Sequence, residues 1–444
     1  MIRKHSFRGV MAGFATSALA LAVSAQAFAG TVSTDGADLV IKTKGGLEVG
    51  TVDKEFSFKL GGRIQWDATN FDGLQAADQN SPFDDTFNTF IRRGEIGLEG
   101  VAYKDWGWGV RLSYDGSGDG AETAIDRAYI TYSGLDLATF TVGRFGVDYG
   151  LENSTSSSWI TAIERPFMYD FLHGDEDAQF GVNVKHSGDN YGLMAQVATY
   201  DESDNNNYEG DGNDELFGYT LRAHWAPYLE GTDVIHLAAN YHDSSSDDDR
   251  ARARTRMGIR SDNDFRLTFG DVRVADQDSE FLLESGAQFG GLRGQAEYYQ
   301  RSITGENLVG ADSDVDMSGY TAQISYMIGA ARGYKGSDGK WDKPTDMKGT
   351  WEVFARYEST TIDSDATAIP GNLGLAGIVA ADATDEFEAS AMVVGVNYFA
   401  TPAVRMSLNY VDYQVDNIDT TRQVGGEGVQ DDGKAIIGRL QYVF

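Results

Sequence analysis

The sequence predicts a transmembrane antiparallel β-barrel of about 16 strands, and three observations lead to that fold class. Apolar and polar residues alternate with a period of two in many segments of the chain. The composition of 22 Tyr, 23 Phe, 7 Trp and 53 Gly with only 6 Pro suits aromatic girdles, tight turns and uninterrupted strands. The last segment alternates in the same way and ends on an aromatic residue, Phe444. A secreted soluble β-protein shares part of this composition, and so the strands decide between the two classes.

The first element is a predicted signal peptide, residues 1–29. Three basic residues precede an apolar stretch, and Ala-Phe-Ala ending at Ala29 provides a cleavage site. A membrane anchor is the alternative, but the apolar stretch is short. Loss of 29 residues leaves 415 of 444, and loss of the three basic residues takes the formal charge from −32 to about −35. Such an acidic protein is not expected to bind nucleic acid.

The mature chain has neither cysteine nor a long apolar segment. Without cysteine, disulfides and a thiol site are excluded. Past the signal, no apolar stretch reaches the roughly 18 residues that a transmembrane helix needs. Export without disulfides is consistent with the Gram-negative envelope.

The first strong strand signal is FSFKLGGRIQWD, from Phe56 to Asp67. Phe58 and Trp66 fall on one face and Lys59 falls on the other. In a membrane barrel the apolar face meets lipid and the polar face lines water. The same alternation returns in WGWGVRLSYD from Trp106, YTLRAHW from Tyr219, LRGQAEYY from Leu292, YTAQISYMI from Tyr320, WEVFARY from Trp351 and VRMSLNYVDY from Val404. The arginines predicted to point into the lumen are Arg63, Arg111, Arg222, Arg293, Arg356 and Arg405.

The final strand, KAIIGRLQYVF, places Leu440, Tyr442 and Phe444 on one parity and Arg439 on the other. A terminal aromatic that closes such a strand resembles the outer-membrane assembly signal. At roughly 25 residues per strand and connection, the mature chain gives about 16 strands in one domain, residues 30–444. The predicted loops are the acidic stretches DESDNNNYEGDGNDE from Asp201, YHDSSSDDD from Tyr241 and GGEGVQDDG from Gly425.

Arginine occupies every second position of part of the run DDDRARARTRMGIR. On a helix its members would face opposite sides, whereas an extended strand aligns them on one face. Neighbouring charges then lie roughly 6.7 Å apart and repel by about 0.6 kcal/mol in water. The pattern predicts a row of positive charge that binds anions; a solvated run balanced by the preceding aspartates is the alternative. The row consists of Arg250, Arg252, Arg254 and Arg256, and Arg260 continues its parity.

Sites for chemistry are not evident. No Gly-rich phosphate loop or His-Glu-x-x-His motif is present, and the six histidines have no metal spacing. We therefore expect no catalytic residue, metal or cofactor. A barrel hydrolase or an adhesin stays an alternative of a different class. The acidic loops could bind divalent cations that bridge to lipopolysaccharide, or simply be solvated.

Nearly the whole chain resembles the phosphate-selective porin family, which comprises porins P and O. The most specific stretches are TVSTDGADLVIKTKGGLEVGTVDKEFSFKLGGR from Thr31, TSSSWITAIER ending at Arg165, RTRMGIR ending at Arg260, and the closing RLQYVF. The resemblance implies a homotrimer of barrels in the Gram-negative outer membrane. In that family arginines lead from the outside to a constriction, and lysines lead on to the periplasm.

The resemblance assigns roles to individual residues. Guanidiniums grip phosphate oxygens bidentately, whereas lysines are less directional charges that release the ion inward. Arg252, Arg254, Arg256 and Arg260 match the arginine row, which Arg250 extends; Arg63, Arg92, Arg93 and Arg165 match basic residues of the constriction and Asp126 an acidic one; Lys42, Lys44, Lys54, Lys59, Lys335 and Lys340 match the inner lysines, the first two in the N-terminal segment 30–50.

The chain departs from the family pattern at four positions. Glu95 and Gly146 stand where the phosphate porin has constriction tyrosines, and Asn153 and Ser158 replace two lysines. By strand parity Glu95 shares a face with Arg93, so that its carboxylate neutralises part of the site. The identity of these residues sets the preference between phosphate and pyrophosphate or polyphosphate, which leaves the preferred anion open.

The sequence therefore predicts a passive, anion-selective porin for phosphate, pyrophosphate or polyphosphate. It is not expected to be an enzyme. A porin for other small anions, such as organic acids, is the alternative within transport. The expected partners are the anion, outer-membrane lipid and lipopolysaccharide, and further copies of the same chain.

Overall fold

A computed structural model describes most of the chain beyond its N-terminal region. The predicted signal peptide, Lys44 and most of the predicted loop from Asp201 lie outside the described residues. The described residues are 39–43, 46–73, 86–116, 122–174, 179–201, 208–209, 215–260, 267–306, 312, 314–364, 386–416, 423–424, 427–428 and 431–444.

Strands dominate these residues, and the barrel is closed and antiparallel. The strands are β1 (Leu39–Lys42), β2 (Leu47–Thr51), β3 (Phe56–Asp72), β4 (Thr86–Ala102), β5 (Trp106–Asp115), β6 (Glu122–Leu135), β7 (Ala138–Arg144), β8 (Phe180–Ser187), β9 (Tyr191–Asp201), β10 (Tyr208–Glu209), β11 (Glu215–Glu230), β12 (Asp233–Thr255), β13 (Leu267–Phe289), β14 (Leu292–Glu306), β15 (Val315–Met327), β16 (Arg332–Lys335), β17 (Lys340–Pro344), β18 (Thr350–Ser364), β19 (Glu386–Phe399), β20 (Val404–Asp416), β21 (Gln423–Val424), β22 (Glu427–Gly428) and β23 (Asp432–Val443).

Within the described ranges, sixteen of these strands form the barrel wall: β3–β9, β11–β15, β18–β20 and β23. Each pairs with the next one in the wall, and β23 returns to pair with β3. The predicted fold class and strand number are confirmed.

The barrel closes at its last residue. The backbone N–H of Phe444 donates to the carbonyl of Gly62, and the N–H of Gly62 donates to the carbonyl of Phe444, both at 3.0 Å. A Cβ on Gly62 would lie 2.6 Å from the Phe444 ring, so the close approach requires glycine. Beyond this point the β1–β2 hairpin takes over, because β2 pairs with the start of β3.

The outer surface of the wall carries exposed apolar side chains and aromatic pairs. Near the short turns, the rings of Trp351 and Tyr398 are 4.5 Å apart. Farther along, Tyr298 pairs with Tyr320, whose ring is 6.0 Å from that of Tyr357. These are the girdles expected from the composition. Among the described residues no helix is long and apolar enough to cross a membrane.

The prediction of a loop at Tyr241–Asp249 is wrong, because β12 continues through these residues. His242 and Ser244 are buried in the lumen, while the side chains of Tyr241 and Asp243 lie on the other face and hydrogen-bond each other at 3.1 Å. The alternation of the strand therefore continues through a stretch whose composition suggests a loop. The pairing of β12 with β13 becomes irregular around Asp249.

Among the residues that the structure describes, two segments fold into the lumen. Residues 145–174, the lumen loop, follow β7 and contain a short α-helix at Leu151–Ser154 and a 3-10 helix at Phe167–Asp170. The lumen hairpin, β16–β17, enters from the opposite end, and its Trp341 packs in one buried cluster with Leu151. Together they fill the side of the lumen formed by β11–β23.

The arginines predicted to point inward do so, but that face lines water only in part. Arg63, Arg222, Arg293, Arg356 and Arg405 are buried under the lumen loop and hairpin. Several inward residues of β4–β8, such as Glu95, Arg111 and Lys185, stay partly exposed. The open channel therefore runs along β4–β8.

Candidate functional site

The arginine row lies on the end of β12, which together with β13 folds over the lumen. Phe269 of β13 reaches across to the Phe387 ring of β19, at 5.3 Å. Ala251 and Ala253 are fully buried in the same apolar cluster, whereas Arg252 and Arg254 on the opposite face are partly exposed. Because alanine is small, one face of the strand packs closely, and the arginines are left on the opposite, partly exposed face. The side chain of Arg250 lies outside the described ones.

Arg256 and Arg260 follow the strand rather than belonging to it. β12 ends at Thr255, and Gly258 has a left-handed backbone with φ 70°. Asp170 of the lumen loop holds this turn, accepting from the backbone N–H of Arg256 at 3.0 Å and from the Arg260 guanidinium at 3.4 Å. The strand parity predicted for Arg260 is therefore wrong, since a turn sets its position.

Arg92 and Arg93 both face the lumen although they are adjacent in sequence. Gln65 of β3 pairs with Arg93, but Trp66 pairs with Ile91, so that Arg92 is the extra residue of a β-bulge. Arg92 is buried, and Arg93 donates to the Gln65 side-chain oxygen at 3.0 Å. Parity alone would have placed one of the two on the lipid face.

Glu95 faces the lumen, where its partners are arginines of neighbouring strands. Arg63 Nη2 lies 2.5 Å from Glu95 Oε1, and Arg111 Nη1 lies 3.6 Å from Oε2. Arg111 also pairs with Asp126, the extra residue of a second bulge, on β6. Opposite charges thus alternate along this wall. Glu95 neutralises Arg63 rather than Arg93, its predicted neighbour.

Glu164 of the lumen loop gathers four guanidiniums. Arg439 and Arg92 approach its carboxylate to 2.6 and 3.1 Å, and Arg93 and Arg260 to 3.9 and 4.0 Å. Burial alone would raise the pKa of the Glu164 carboxyl, but the four arginines hold that pKa well below its ordinary value. The carboxylate is therefore ionised and connects the end of the arginine row to the barrel wall.

The remaining predicted constriction residues lie on or beside the lumen loop. Arg165 donates to three loop carbonyls, including that of Asn153 at 3.2 Å. Ser158 is buried, and its hydroxyl accepts from Arg63 at 3.1 Å. Gly146 is partly exposed in the segment after β7. Of the four departures from the family pattern, Ser158 and Glu95 thus contact the same arginine.

The described inner lysines lie toward the turn end of the barrel, and four of them are paired with carboxylates. Lys54 lies in the turn before β3, with φ 62°. The pairs are Lys42–Glu48 at 2.7 Å, Lys59–Glu99 at 3.0 Å, Lys335–Asp342 at 3.9 Å and Lys340–Asp148 at 3.0 Å.

One of these pairs belongs to a larger cluster that sequence reasoning did not find. Lys185 of β8 lies 2.6 Å from Asp338 and 3.6 Å from Asp148. Burial opposes ionisation of Asp148, but Lys340 and Lys185 outweigh it and hold the pKa of its carboxyl well below the usual range. The cluster joins the wall, the lumen loop and the lumen hairpin. Only the inward parity of Lys185 on its strand was a signal.

Comparison with known proteins identifies the family. Residues 58–444 match the family model described as phosphate-selective porin O and P. The chain belongs to this family. It is 40% identical over 474 aligned positions to Porin O of Pseudomonas aeruginosa, and the alignment covers 100% of both chains.

Solved structures of low sequence identity share the fold. A loop L8 deletion mutant of OmpT, an outer membrane protein of Vibrio cholerae, has a TM-score of 0.53 at 11% identity, over 88% of this chain and 100% of that one. An anion-selective porin from Comamonas acidovorans has a TM-score of 0.51 at 13% identity, with the same coverage of 88% and 100%. At these identities the matches show the barrel alone.

Family and fold together make this protein an outer-membrane porin, a passive channel rather than an enzyme. The predicted family, fold class and location are confirmed. The roles of individual lumen residues stay predictions.

Proposed function

We propose that this porin conducts inorganic and condensed phosphates along its arginine-lined channel. The observation that carries the proposal is the row on β12, where Arg252 and Arg254 are partly exposed and Ala251 and Ala253 are buried on the opposite face. A planar guanidinium donates two parallel hydrogen bonds to phosphate oxygens, which an ammonium group does not. The phosphate-selective family to which the chain belongs supports the same class of anion.

The row continues into a second group of arginines. Arg260, at its end, lies 4.0 Å from the Glu164 carboxylate that also attracts Arg93 of the wall. A phosphate leaving the row therefore meets further guanidiniums without crossing a neutral gap. Charges farther than about 8 Å are screened at physiological salt. Local lumen charge, rather than net charge, sets the preference for anions.

Condensed phosphates suit this channel better than single phosphates do. Glu95 pairs with Arg63 at 2.5 Å, so that this guanidinium is not available to bind a small anion. The Glu95 carboxylate also repels that anion. A pyrophosphate or short polyphosphate is long enough to contact arginines on both sides of Glu95. The departure from tyrosine at this position therefore favours the longer anion.

Release toward the periplasm follows from the paired lysines. Lys59 and Lys340 each lie 3.0 Å from a carboxylate, so the net attraction for an anion falls beyond the arginines. Conduction requires binding that is strong enough for entry and weak enough for exit. The region of the paired lysines supplies the weak binding that exit requires.

Planar-bilayer recording tests this function. We expect reversal potentials in a chloride gradient to show anion preference, and we expect pyrophosphate to block chloride current at lower concentration than phosphate. Cation preference would refute the proposal. Equal block by phosphate and by a monocarboxylate would favour the alternative, a general porin for organic anions.

Three further predictions accompany this function. Cleavage after Ala29 is checked by the N-terminal sequence of the mature protein. The homotrimer is checked by electrophoresis of unheated and heated samples. Association with lipopolysaccharide is checked by its retention on the purified porin with and without a chelator.

A further inference from the structure

Glu164 lies where the end of the arginine row meets the barrel wall. Two of its four arginines are fixed. Arg439 binds it at 2.6 Å and also forms two hydrogen bonds of 2.7 Å to Asp67. Arg92 binds it through two nitrogens, at 3.1 and 3.3 Å, and pairs with Asp115. Arg439 cannot turn away without leaving the buried Asp67 unpaired, and Arg92 cannot do so without losing both of its hydrogen bonds to Glu164.

The other two arginines approach the same carboxylate without hydrogen-bonding it. Arg93 is 3.9 Å and Arg260 is 4.0 Å away. Their side chains are 14% and 20% exposed, compared with 6% for Arg92 and 3% for Arg439. They are near enough to be attracted by the charge, and far enough to turn toward another anion.

We infer that Glu164 is a specificity-determining residue that competes with the passing anion for Arg93 and Arg260. While the channel is empty, its carboxylate attracts both guanidiniums. An anion that moves from the row to the wall replaces the carboxylate as the partner of these two guanidiniums. The carboxylate attracts them again when the anion leaves. Glu164 thereby shortens the time for which the anion is held. This inference deepens the proposed function and rests on it for the identity of the anion.

The test compares Glu164→Gln with the wild type in planar bilayers. The amide keeps an oxygen for the hydrogen bonds of Arg92 and Arg439 but removes the charge. We expect the phosphate concentration that half-blocks chloride current to fall about tenfold, because a unit charge roughly 4 Å from two guanidiniums is lost. The half-saturating chloride concentration should also fall, together with the maximal current, because tighter binding slows exit.

Asp67→Asn is the matched control. It removes another buried carboxylate of the same arginine cluster, one that binds Arg439 and has no ion pair with Arg93 or Arg260 among the described residues. We expect its effect on block to be about threefold or less. Equal effects of the two variants would overturn the inference, since general loss of negative charge would then explain both.

The outcomes separate this inference from the function on which it rests. If phosphate fails to block the wild type, the proposed phosphate function fails, and the chloride measurement still decides the role of Glu164. Unchanged or weaker chloride and phosphate binding in Glu164→Gln overturns the inference. If that variant does not form a barrel, Glu164→Asp, which draws the charge back by one methylene, should shift binding in the same direction by less; no shift there overturns it equally.

Discussion

The lumen arginines divide into two groups that share a residue type and a direction but differ in their partners. Arg356, Arg405 and Arg439 are 2–5% exposed and donate to backbone carbonyls of the lumen loop. Arg252 and Arg254 at the end of β12 are partly exposed. Cover by the lumen loop, rather than inward direction, separates the arginines that hold the loop from those that we propose meet the anion.

Three buried glutamates complement the first group. Glu297 accepts from the backbone N–H of Leu151 at 2.7 Å, and Glu358 accepts from that of Phe167 at 2.5 Å. Glu280 accepts from Gly174 at 2.9 Å. Buried backbone groups must be hydrogen-bonded, and here arginine and glutamate side chains of the wall satisfy both the carbonyls and the N–H groups of the loop. The buried polar residues of this half are thus mainly a scaffold.

Arg405→Ala should have the largest effect on stability. Its guanidinium donates to the carbonyls of Ser158, Ile160 and Thr161, at 3.3, 2.8 and 2.9 Å. Removing it leaves buried carbonyls unpaired, which we expect to cost about 3 kcal/mol. The loop should then undock, so that single-channel conductance rises and anion preference falls. Conductance and the heating temperature at which the barrel unfolds measure both consequences.

Arg405→Lys is the matched control for this change. It retains the charge but cannot donate in several directions at once. If charge alone mattered, this variant would behave as the wild type does. An unchanged conductance in both variants would contradict the division of the arginines into two groups.

Alternation in the sequence predicts which residues point inward, but not which of them are covered. Arg252 and Arg405 have the same signature in the sequence, an arginine flanked by apolar residues on a strand. Their difference arises from the path of residues 145–174, which has no periodicity to predict it. The bulge at Arg92 cannot be predicted from the sequence either, because one inserted residue changes the register without changing the composition. The alanines between the row arginines were the one local sign that the other face is buried.

Triple replacement of Arg252, Arg254 and Arg256 with alanine should have the largest effect on anion capture. All three lie at or just beyond the end of β12, and Arg252 and Arg254 are partly exposed, so the barrel should stay folded. We expect the half-blocking phosphate concentration to rise about thirtyfold, because attraction of this kind changes local ion concentration and entry by one to three decades. Loss of the heat-resistant assembly with unchanged conduction per surviving channel would instead make the row structural.

Glu95→Tyr tests whether the Glu95 carboxylate on the barrel wall opposes the passing anion. Its carboxylate opposes an anion at about 7 Å by on the order of 2 kcal/mol at an effective dielectric near 20, before the offset by Arg63. Tyrosine removes that opposition and leaves Arg63 available to the anion. Phosphate block should tighten roughly tenfold, and the preference for pyrophosphate should narrow. Glu95→Gln separates the loss of charge from the added ring. Unchanged block in both variants would show that the ion does not pass this carboxylate.

Lys59→Gln should have the smallest effect, because Lys59 is paired and exposed. The Lys59 and Glu99 side chains are 44% and 59% exposed, and their ion pair is open to screening by salt. Such pairs are worth about 1 kcal/mol or less. We therefore expect chloride conductance to change by about threefold or less, with little change in phosphate block. Glu99→Gln, which leaves Lys59 without this carboxylate, should shift conductance in the opposite direction. A tenfold change in the half-blocking phosphate concentration in Lys59→Gln would show that the lysines, rather than the arginines, form the main anion site. That result would contradict the division of the arginines into two groups.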